Sequence, residues 1–253
     1  MRSGSVLPWV FLGIIIGMCF YGCSEPEVET PRYEASPLEQ AYQEQSDPLL
    51  GKFFENWQQG IPHISDQELS QLSAAKRAIF EVFTKFYNPF NLSATGGSEW
   101  GDSLYAGIRY AVIQNRVDFG FVRNNLPDSL WIYSYLTPEV EDSILNFRPQ
   151  TLFSNAPSIY YSQKYQDIIT AFIGDTAEVW ERVDFLNRYI RIIPGHWFGW
   201  HVETHPLASF ILIDYALEHA KVYYQIVYQG GFAYLTKQNG HWTIAHAQLT
   251  WIM

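Results

Sequence analysis

The sequence predicts an α+β fold in which helices pack on a curved antiparallel sheet that ends in a C-terminal β-meander. From residue 47 to residue 86, apolar residues recur at spacings of three and four, which is typical of amphipathic helices. From residue 209 onward, apolar or alternating runs are separated by turn residues, with Asn239-Gly240 at one bend and Gln229-Gly230-Gly231 at another. Strands joined by such short turns pair antiparallel.

The composition is typical of a folded globular protein, because 47% of the 253 residues are hydrophobic and 17% are charged. Aromatic residues are unusually frequent, with 17 Tyr, 17 Phe and 9 Trp, so the sequence predicts a core rich in rings. We expect a single α+β domain over residues 47–253, with two subdomains divided near residue 150 as the alternative.

Charge and cysteine content exclude several classes of function. The net charge is −10, and no cluster of Lys and Arg interleaves with the aromatic residues, so nucleic acid is not an expected partner. Cys19 and Cys23 are the only cysteines, and both lie near the N-terminus. The body of the chain therefore has no disulfide, no cysteine nucleophile and no cysteine-ligated zinc.

The N-terminus indicates an export signal. Arg2 precedes an apolar run from Val6 to Gly22, and the first acidic residue is Glu25. This pattern predicts a signal peptide over residues 1–22. An uncleaved anchor helix is the alternative, since a run of about 17 residues lies at the lower limit for spanning a bilayer.

The segment FYGC, which ends at Cys23, resembles the lipobox of bacterial lipoproteins. The resemblance implies cleavage before Cys23 and lipidation of that cysteine with fatty acids such as palmitate. Ser24 resembles the sorting residue of outer-membrane lipoproteins, and the acidic SEPEVE is similar to export signals of surface-exposed lipoproteins. The implied location is the outer membrane of the cell envelope, on the periplasmic or the exposed side. Residues 23–46, rich in Glu, Gln, Pro and Ser, are predicted to be an acidic flexible tether.

Two helices are predicted after the tether. The first covers residues 47–60, with Pro48 at the first helical position. The second begins at a capping box of Ser65 and Glu68 and runs without a break to residue 88. The predicted elements that follow are a hairpin over residues 104–124, a strand over 130–136, short strands at 144–149 and 159–161, and helices over 162–174 and 175–190.

The C-terminal part resembles the NTF2-like superfamily. The resemblance covers residues 185–253, where a helix precedes an antiparallel sheet whose last strand contains GHWTI. It implies a cone-shaped NTF2-like or cystatin-like fold. The pieces FRP, GHWFGW, THP, YQGG and LTWI together resemble uncharacterised envelope lipoproteins of bacteria, which implies a location and a fold but no activity.

The stretch GHWFGWHVETH, residues 195–205, is the candidate functional segment. His201, Glu203 and His205 are a ligand set suited to zinc or non-haem iron. Residues of a straight strand rise ~3.3 Å each, so the backbones of His201 and His205 are expected ~13 Å apart. Donors to one zinc lie within about 4 Å of one another, so the spacing predicts no bound metal, and no cofactor is expected.

The same segment is a candidate ligand-binding surface. Trp197 and Trp200 could form a stacking platform, with His201, Glu203 and His205 as hydrogen-bond partners. The alternative is that the indoles anchor the end of a sheet and that the two glycines allow another element to approach closely.

The sequence contains no G-x-S-x-G elbow, no P-loop and no Rossmann glycine pattern, so no specific reaction is indicated and the catalytic residues are unknown. We expect a lipid-anchored envelope protein that serves as a binding or assembly accessory for a glycan, a peptide or a partner protein. One alternative is a small hydrolase or isomerase of NTF2-like type with a pocket around Trp197, His201 and Glu203, where fold analogy pairs His201 with Asp214. The other alternative is a structural spacer.

Overall fold

The computed structural model describes residues 37–97, 105–123, 126–134, 136, 140–151, 153, 156–174, 177–195 and 199–252. These described residues gather into one compact unit. The predicted signal peptide and Cys23 lie outside the described residues. No helix within the described ranges is long and apolar enough to cross a membrane.

Within the described residues four helices come first, helices and strands then mix, and six strands follow one another at the end. The helices are α1 Pro37–Gln43, α2 Asp47–Gly60, α3 Asp66–Gln71, α4 Ala74–Phe86, α5 Asp128–Tyr133, α6 Gln163–Ile173 and α7 Val179–Leu186, with a 3-10 turn at Leu92–Thr95. The strands are β1 Ala111–Gln114, β2 Arg116–Val122, β3 Asp142–Leu145, β4 Ser158–Tyr161, β5 Ile192–Pro194, β6 Trp200–Val202, β7 Leu207–Asp214, β8 His219–Ile226, β9 Gln229–Gln238 and β10 His241–Ile252.

The main sheet has six strands in the order β10-β9-β8-β7-β2-β3. The strands from β7 to β10 each pair antiparallel with the next, so the predicted α+β class and its C-terminal meander are confirmed. β2 lies parallel to β7 and antiparallel to β3. Two smaller units complete the structure, a parallel pair of β1 with β4 and an antiparallel hairpin of β5 with β6.

Alternate residues of the meander contact different cores, because successive side chains of a strand point to opposite faces. On the inner face, Tyr224 belongs to a core that also contains Phe83 and Phe86 of α4. On the outer face, Tyr223 belongs to a core closed by Trp131 of α5. A further core joins α1, α2, α6 and α7. The main sheet is therefore covered on both faces.

The predicted capping box of Ser65 and Glu68 is confirmed, but the helix that follows it is not continuous. α3 ends because Leu72 has an extended backbone, with φ −71° and ψ 157°. Ser73 then begins a new helix, and its hydroxyl accepts a hydrogen bond from Lys76 N at 3.2 Å. A serine that satisfies a new helix N-terminus competes with continuation of the old one, which explains the break.

Helix α1 lies within the segment that was predicted to be a tether. The side chains of Leu38 and Ala41 are fully buried. Arg182 of α7 donates from Nη1 to Glu39 Oε2 at 2.6 Å. The prediction of a flexible tether is therefore wrong for residues 37–46. The stretch is rich in Glu and Gln, but two buried apolar side chains and one ion pair hold a short helix against the rest of the fold. Residues 23–36 of the predicted tether lie outside the described residues.

The hairpin predicted over residues 104–124 is wrong, because β1 pairs with β4 while β2 pairs with β7 and β3. Gln114, at the end of β1, explains part of this arrangement. Its side-chain amide accepts from Ala208 N at 2.7 Å and donates to Ala208 O at 2.8 Å. These two bonds have the same donor and acceptor pattern as backbone pairing between strands, and they connect β1 to the start of β7. The alternation of apolar and polar residues predicted the strands but not the strands with which they pair.

The strand predicted over residues 130–136 is also wrong, because Asp128–Tyr133 form α5. Aromatic and β-branched residues favour a strand locally, yet packing against the sheet decides the outcome. Trp131 is the buried residue of α5, and its ring stacks on those of His219 and Tyr234, at centroid distances of 6.0 and 5.7 Å.

The two glycine-containing bends of the meander have different causes. The bend between β8 and β9 falls at residues 227–228, ahead of the predicted glycines. A Cβ at Gly231 would lie 2.3 Å from Gln248 O, so this glycine permits the close approach of β10. At the next bend Asn239 has φ 51° and Gly240 has φ 80°, as the predicted Asn-Gly turn requires.

Candidate functional site

The stretch GHWFGWHVETH begins in the β5–β6 hairpin, where Pro194 lies opposite Trp200. Trp200 is partly buried and packs against the core around α2, α6 and α7. That contact is expected of an indole that anchors the end of a sheet. Trp197, the other residue of the predicted stacking platform, lies outside the described residues.

Glu203 lies between the two histidines of the segment. Its side chain is completely shielded from solvent. His205 Nδ1 lies 2.5 Å from Oε2, and His201 Nε2 lies 2.8 Å from Oε1. The contact at Oε1 is close but poorly aligned, so this oxygen has no hydrogen bond of good geometry within the described structure. His201 is the exposed member, with 37% of its side chain accessible.

Strand β6 ends at Val202, but its pairing with the chain before β5 continues for one more residue. The backbone N–H of Glu203 donates to Arg191 O at 2.8 Å, which is the pair that follows Ile192 and Val202 in the hairpin register. The two imidazole centroids are 6.2 Å apart, so the rings lie much closer together than the ~13 Å expected between the two backbones. Both imidazoles contact one carboxylate, and no three His, Cys, Asp or Glu side chains of the described residues are grouped to hold a metal ion.

The proton positions of the cluster follow from the charge of Glu203. Burial alone would raise the pKa of Glu203, but the close polar contacts and the charges of His201 and His205 outweigh it and hold the pKa below its ordinary value. An ionised carboxylate can only accept, so His205 donates from Nδ1. The backbone nitrogen of Val227 lies 3.3 Å from the same Nδ1, which cannot accept its proton while Nδ1 itself donates to Glu203.

Two buried tyrosines enclose the cluster. Tyr105 Oη donates to His205 O at 2.7 Å, and Tyr87 Oη donates to Val112 O at 3.1 Å. Burial, and to a smaller extent the charge of Glu203, raises the pKa of both phenols far above the ordinary value. Both hydroxyls therefore stay protonated at neutral pH, and Glu203 carries the negative charge of the cluster.

A groove of about 700 Å³ opens beside this segment. Thr204 and Leu207, which flank His205 in the chain, form one wall, so the groove and the cluster share a segment. No Asp or Glu lines the described part of the groove. Most of its lining consists of carboxamides, hydroxyls and bases, namely Gln114, Asn115, Arg116, Asn146, Tyr161, Ser162, Gln163, Lys164, Gln166 and Thr204.

Several of these side chains are available to a ligand. Asn146, Tyr161 and Lys164 have no side-chain hydrogen bond or ion pair within the described structure. Burial raises the pKa of Tyr161 to about 12, so its hydroxyl is a donor at neutral pH. Arg116 is occupied, because its Nε and Nη2 contact the carboxylate of Asp118 at 2.9 and 3.2 Å.

The pairing of His201 with Asp214 is not formed. Asp214 is 2% exposed, and its carboxylate accepts from the backbone N–H groups of Glu218 and His219 at 2.8 and 3.1 Å. These bonds close the turn between β7 and β8, which assigns Asp214 a structural role.

Comparison of the chain with protein-family models, with curated proteins and with solved structures finds no match. The function is therefore argued from the chemistry of the site.

Proposed function

We propose that this chain is a lipid-anchored, extracytoplasmic protein of the bacterial envelope that binds a glycan in the groove beside Thr204. The anchor is the lipidated Cys23, exposed by cleavage of the signal peptide, and the location is the outer membrane. The FYGC and SEPEVE segments support this anchoring and sorting. Diacyl modification supplies the two chains that stable anchoring requires.

The observation that carries the binding role is the set of available side chains at the groove, Asn146, Tyr161 and Lys164. A sugar hydroxyl both donates and accepts hydrogen bonds, and a carboxamide does the same. Tyr161 adds a ring face and a donor hydroxyl, a combination suited to a ligand with apolar and polar faces. An apolar ligand would leave these groups unpaired, so a glycan fits the lining better.

The binding role is tested by calorimetric titration of the detergent-solubilised chain with soluble cell-wall glycan fragments and, separately, with peptides. We expect a glycan to bind and Tyr161→Phe or Asn146→Gly to weaken it by about tenfold each, the loss of roughly one hydrogen bond. Glycine suits position 146 because Asn146 has φ 54°. Lys85→Gln is the control, since Lys85 lines a different groove.

The outcome of this titration separates the candidate ligands. Binding of peptides alone would replace the glycan by a peptide, and the absence of any binding would leave a partner protein or the structural spacer. Equal weakening by Lys85→Gln would contradict the assignment to this groove.

We also propose that α4 and the meander form a cone of NTF2-like or cystatin-like type. The order of helices before an antiparallel meander supports this, as does the packing of α4 against β7 and β10.

A second candidate is a small hydrolase or isomerase, favoured by the buried Glu203 beneath the half-exposed His201. A carboxylate that orients an imidazole is a common arrangement for a general base. The test is hydrolysis of chromogenic esters and glycosides by wild type, His201→Ala and the control His63→Ala. Activity lost only in His201→Ala would support the enzyme, and activity unchanged in both variants would exclude this role for His201.

A further inference from the structure

A second group of reactive side chains lies on the outer face of the sheet and shares no residue with the groove. Lys221 of β8 stands between Leu212 of β7 and Tyr234 of β9 in the strand register. Its exposed fraction is only 1%. Lysine is almost never buried to this extent unless it is paired with a carboxylate.

Lys221 is buried without a counter-charge. Its Nζ donates to Ser134 O at 2.9 Å and lies 3.8 Å from the ring centroid of Phe232. No ion pair joins it to a carboxylate in the described part of the chain. Burial lowers the pKa of Lys221 to about 8. About a tenth of the amine is therefore neutral at pH 7, and the neutral amine is the nucleophilic form of lysine.

Tyr234, the cross-strand neighbour of Lys221, belongs to a chain of hydrogen bonds. Its Oη donates to Asp128 Oδ1 at 2.9 Å. Because the hydroxyl has one proton, His219 Nδ1 must donate to the same oxygen, at 2.8 Å. Trp131 stacks on both rings, and its Nε1 is buried without a hydrogen-bond partner within the described residues.

Ionisable side chains approach this region from every element packed on the outer face. They are Asp128 of α5, Asp214 of β7, His219 and Tyr223 of β8, Tyr234 of β9 and His246 of β10. None of them forms an ion pair with Lys221 in the described part of the chain. The lysine therefore has ionisable side chains in its region but no carboxylate as a counter-charge.

The hydrogen bond of Lys221 to Ser134 O anchors the α5 segment, residues 126–134 and 136, but this role does not require a buried lysine. The α5 segment covers Lys221 and has two other polar anchors on the sheet. Tyr223 Oη donates to Leu136 O at 2.7 Å, and Tyr234 Oη donates to the carboxylate of Asp128. An apolar side chain of similar length would fill the space without the cost of burying an amine.

We propose that Lys221 is a covalent capture site that forms an imine with a small aromatic or apolar aldehyde when the α5 segment lifts. The Nζ lone pair forms a bond to the carbonyl carbon as the C=O π bond breaks, and one proton of the amine passes to the carbonyl oxygen. The carbinolamine then loses its hydroxyl, which leaves as water with the second proton of the nitrogen, and a C=N bond remains. No electrons are gained or lost, and hydrolysis reverses the reaction. The walls formed by Phe232, Tyr223 and Leu212 select the apolar body of the aldehyde.

The test is reductive trapping of the purified full chain with benzaldehyde and cyanoborohydride, followed by peptide mass spectrometry. At pH 7 the neutral fraction of an amine of pKa about 8 exceeds that of an ordinary lysine by roughly 10²-fold. We expect benzylation of Lys221 at least tenfold faster than that of Lys52 and Lys164, which are exposed internal references. Labelling of Lys221 at or below their rate would overturn the proposal.

A variant tests whether the α5 segment controls access. Tyr223→Phe removes one anchor of the segment, and we expect it to raise the labelling rate of Lys221 several-fold while Lys52 is unchanged. Tyr228→Phe, which removes a hydroxyl bonded to Pro194 O elsewhere, is the matched control. An equal rise in both variants would contradict access through the α5 segment.

Discussion

The carboxylate of Glu203 lies 2.5 Å from His205 Nδ1, and both side chains are buried. In a surrounding of low dielectric constant, such a pair is stable only as long as both partners are present. Removal of one partner leaves the other polar group unpaired and shielded from water, which costs more than the loss of an exposed pair.

We therefore expect Glu203→Gln to lower the free energy of unfolding by about 3 kcal/mol, as measured by urea denaturation at neutral pH. Glu81→Gln is the control, because the Glu81 side chain is 49% exposed and contacts Lys237 at 3.0 Å. Its expected loss is below about 1 kcal/mol. A similar loss in the two variants would contradict the role assigned to the buried cluster.

The same pair predicts a dependence of stability on pH. The pKa of Glu203 is lower in the folded chain than its ordinary value, so the folded chain binds fewer protons than the unfolded chain in that range. This contribution is fully present above about pH 5 and is lost as the pH falls through the lowered pKa. We expect the stability difference between wild type and Glu203→Gln to shrink as the pH is lowered from about 7 to about 3. A constant difference would argue against an ionised Glu203.

Local chemistry allowed parts of the fold to be predicted. The capping box at Ser65 and the positive φ angles of Asn239 and Gly240 depend on neighbouring residues alone, and both are as expected. The partners of β1 and β2 depend on contacts between distant segments, such as the bonds of Gln114 to Ala208. No periodicity encodes a contact of that kind.

Gly231 gives a third prediction, about packing of the last strand. Gly231→Ala should lower the free energy of unfolding by about 2 kcal/mol or more, because its Cβ would lie 2.3 Å from Gln248 O and force β10 to move. Gly60→Ala, where the nearest atom is Tyr165 Oη at 3.5 Å, should change it by less than about 1 kcal/mol. Both values follow from thermal or urea unfolding, and equal tolerance of the two substitutions would show that β10 shifts freely.

The candidate site was only partly accessible from the sequence. The spacing of His201, Glu203 and His205 placed them on one face of an extended chain, but it did not reveal that both imidazoles contact one buried carboxylate. The groove was missed because its available side chains, Asn146 and Lys164 among them, come from β-strand ends and a helix start that are far apart in sequence. The one local signal was the density of turn-forming and amide residues at those ends.

The lipid anchor gives the last prediction. In a bacterium that expresses the full chain with an alkyne-labelled palmitate, we expect the label to be attached to the wild type and to be lost in Cys23→Ser. Gly22 precedes Cys23, whereas Met18 precedes Cys19. In the lipobox that this segment resembles, the enzyme that removes the signal peptide requires a small residue before the lipidated cysteine. Cys19→Ser should therefore keep the label. Loss of the label in Cys19→Ser, with retention in Cys23→Ser, would move the anchor to Cys19. An unlabelled wild-type chain that remains in the membrane fraction would instead support an uncleaved apolar anchor.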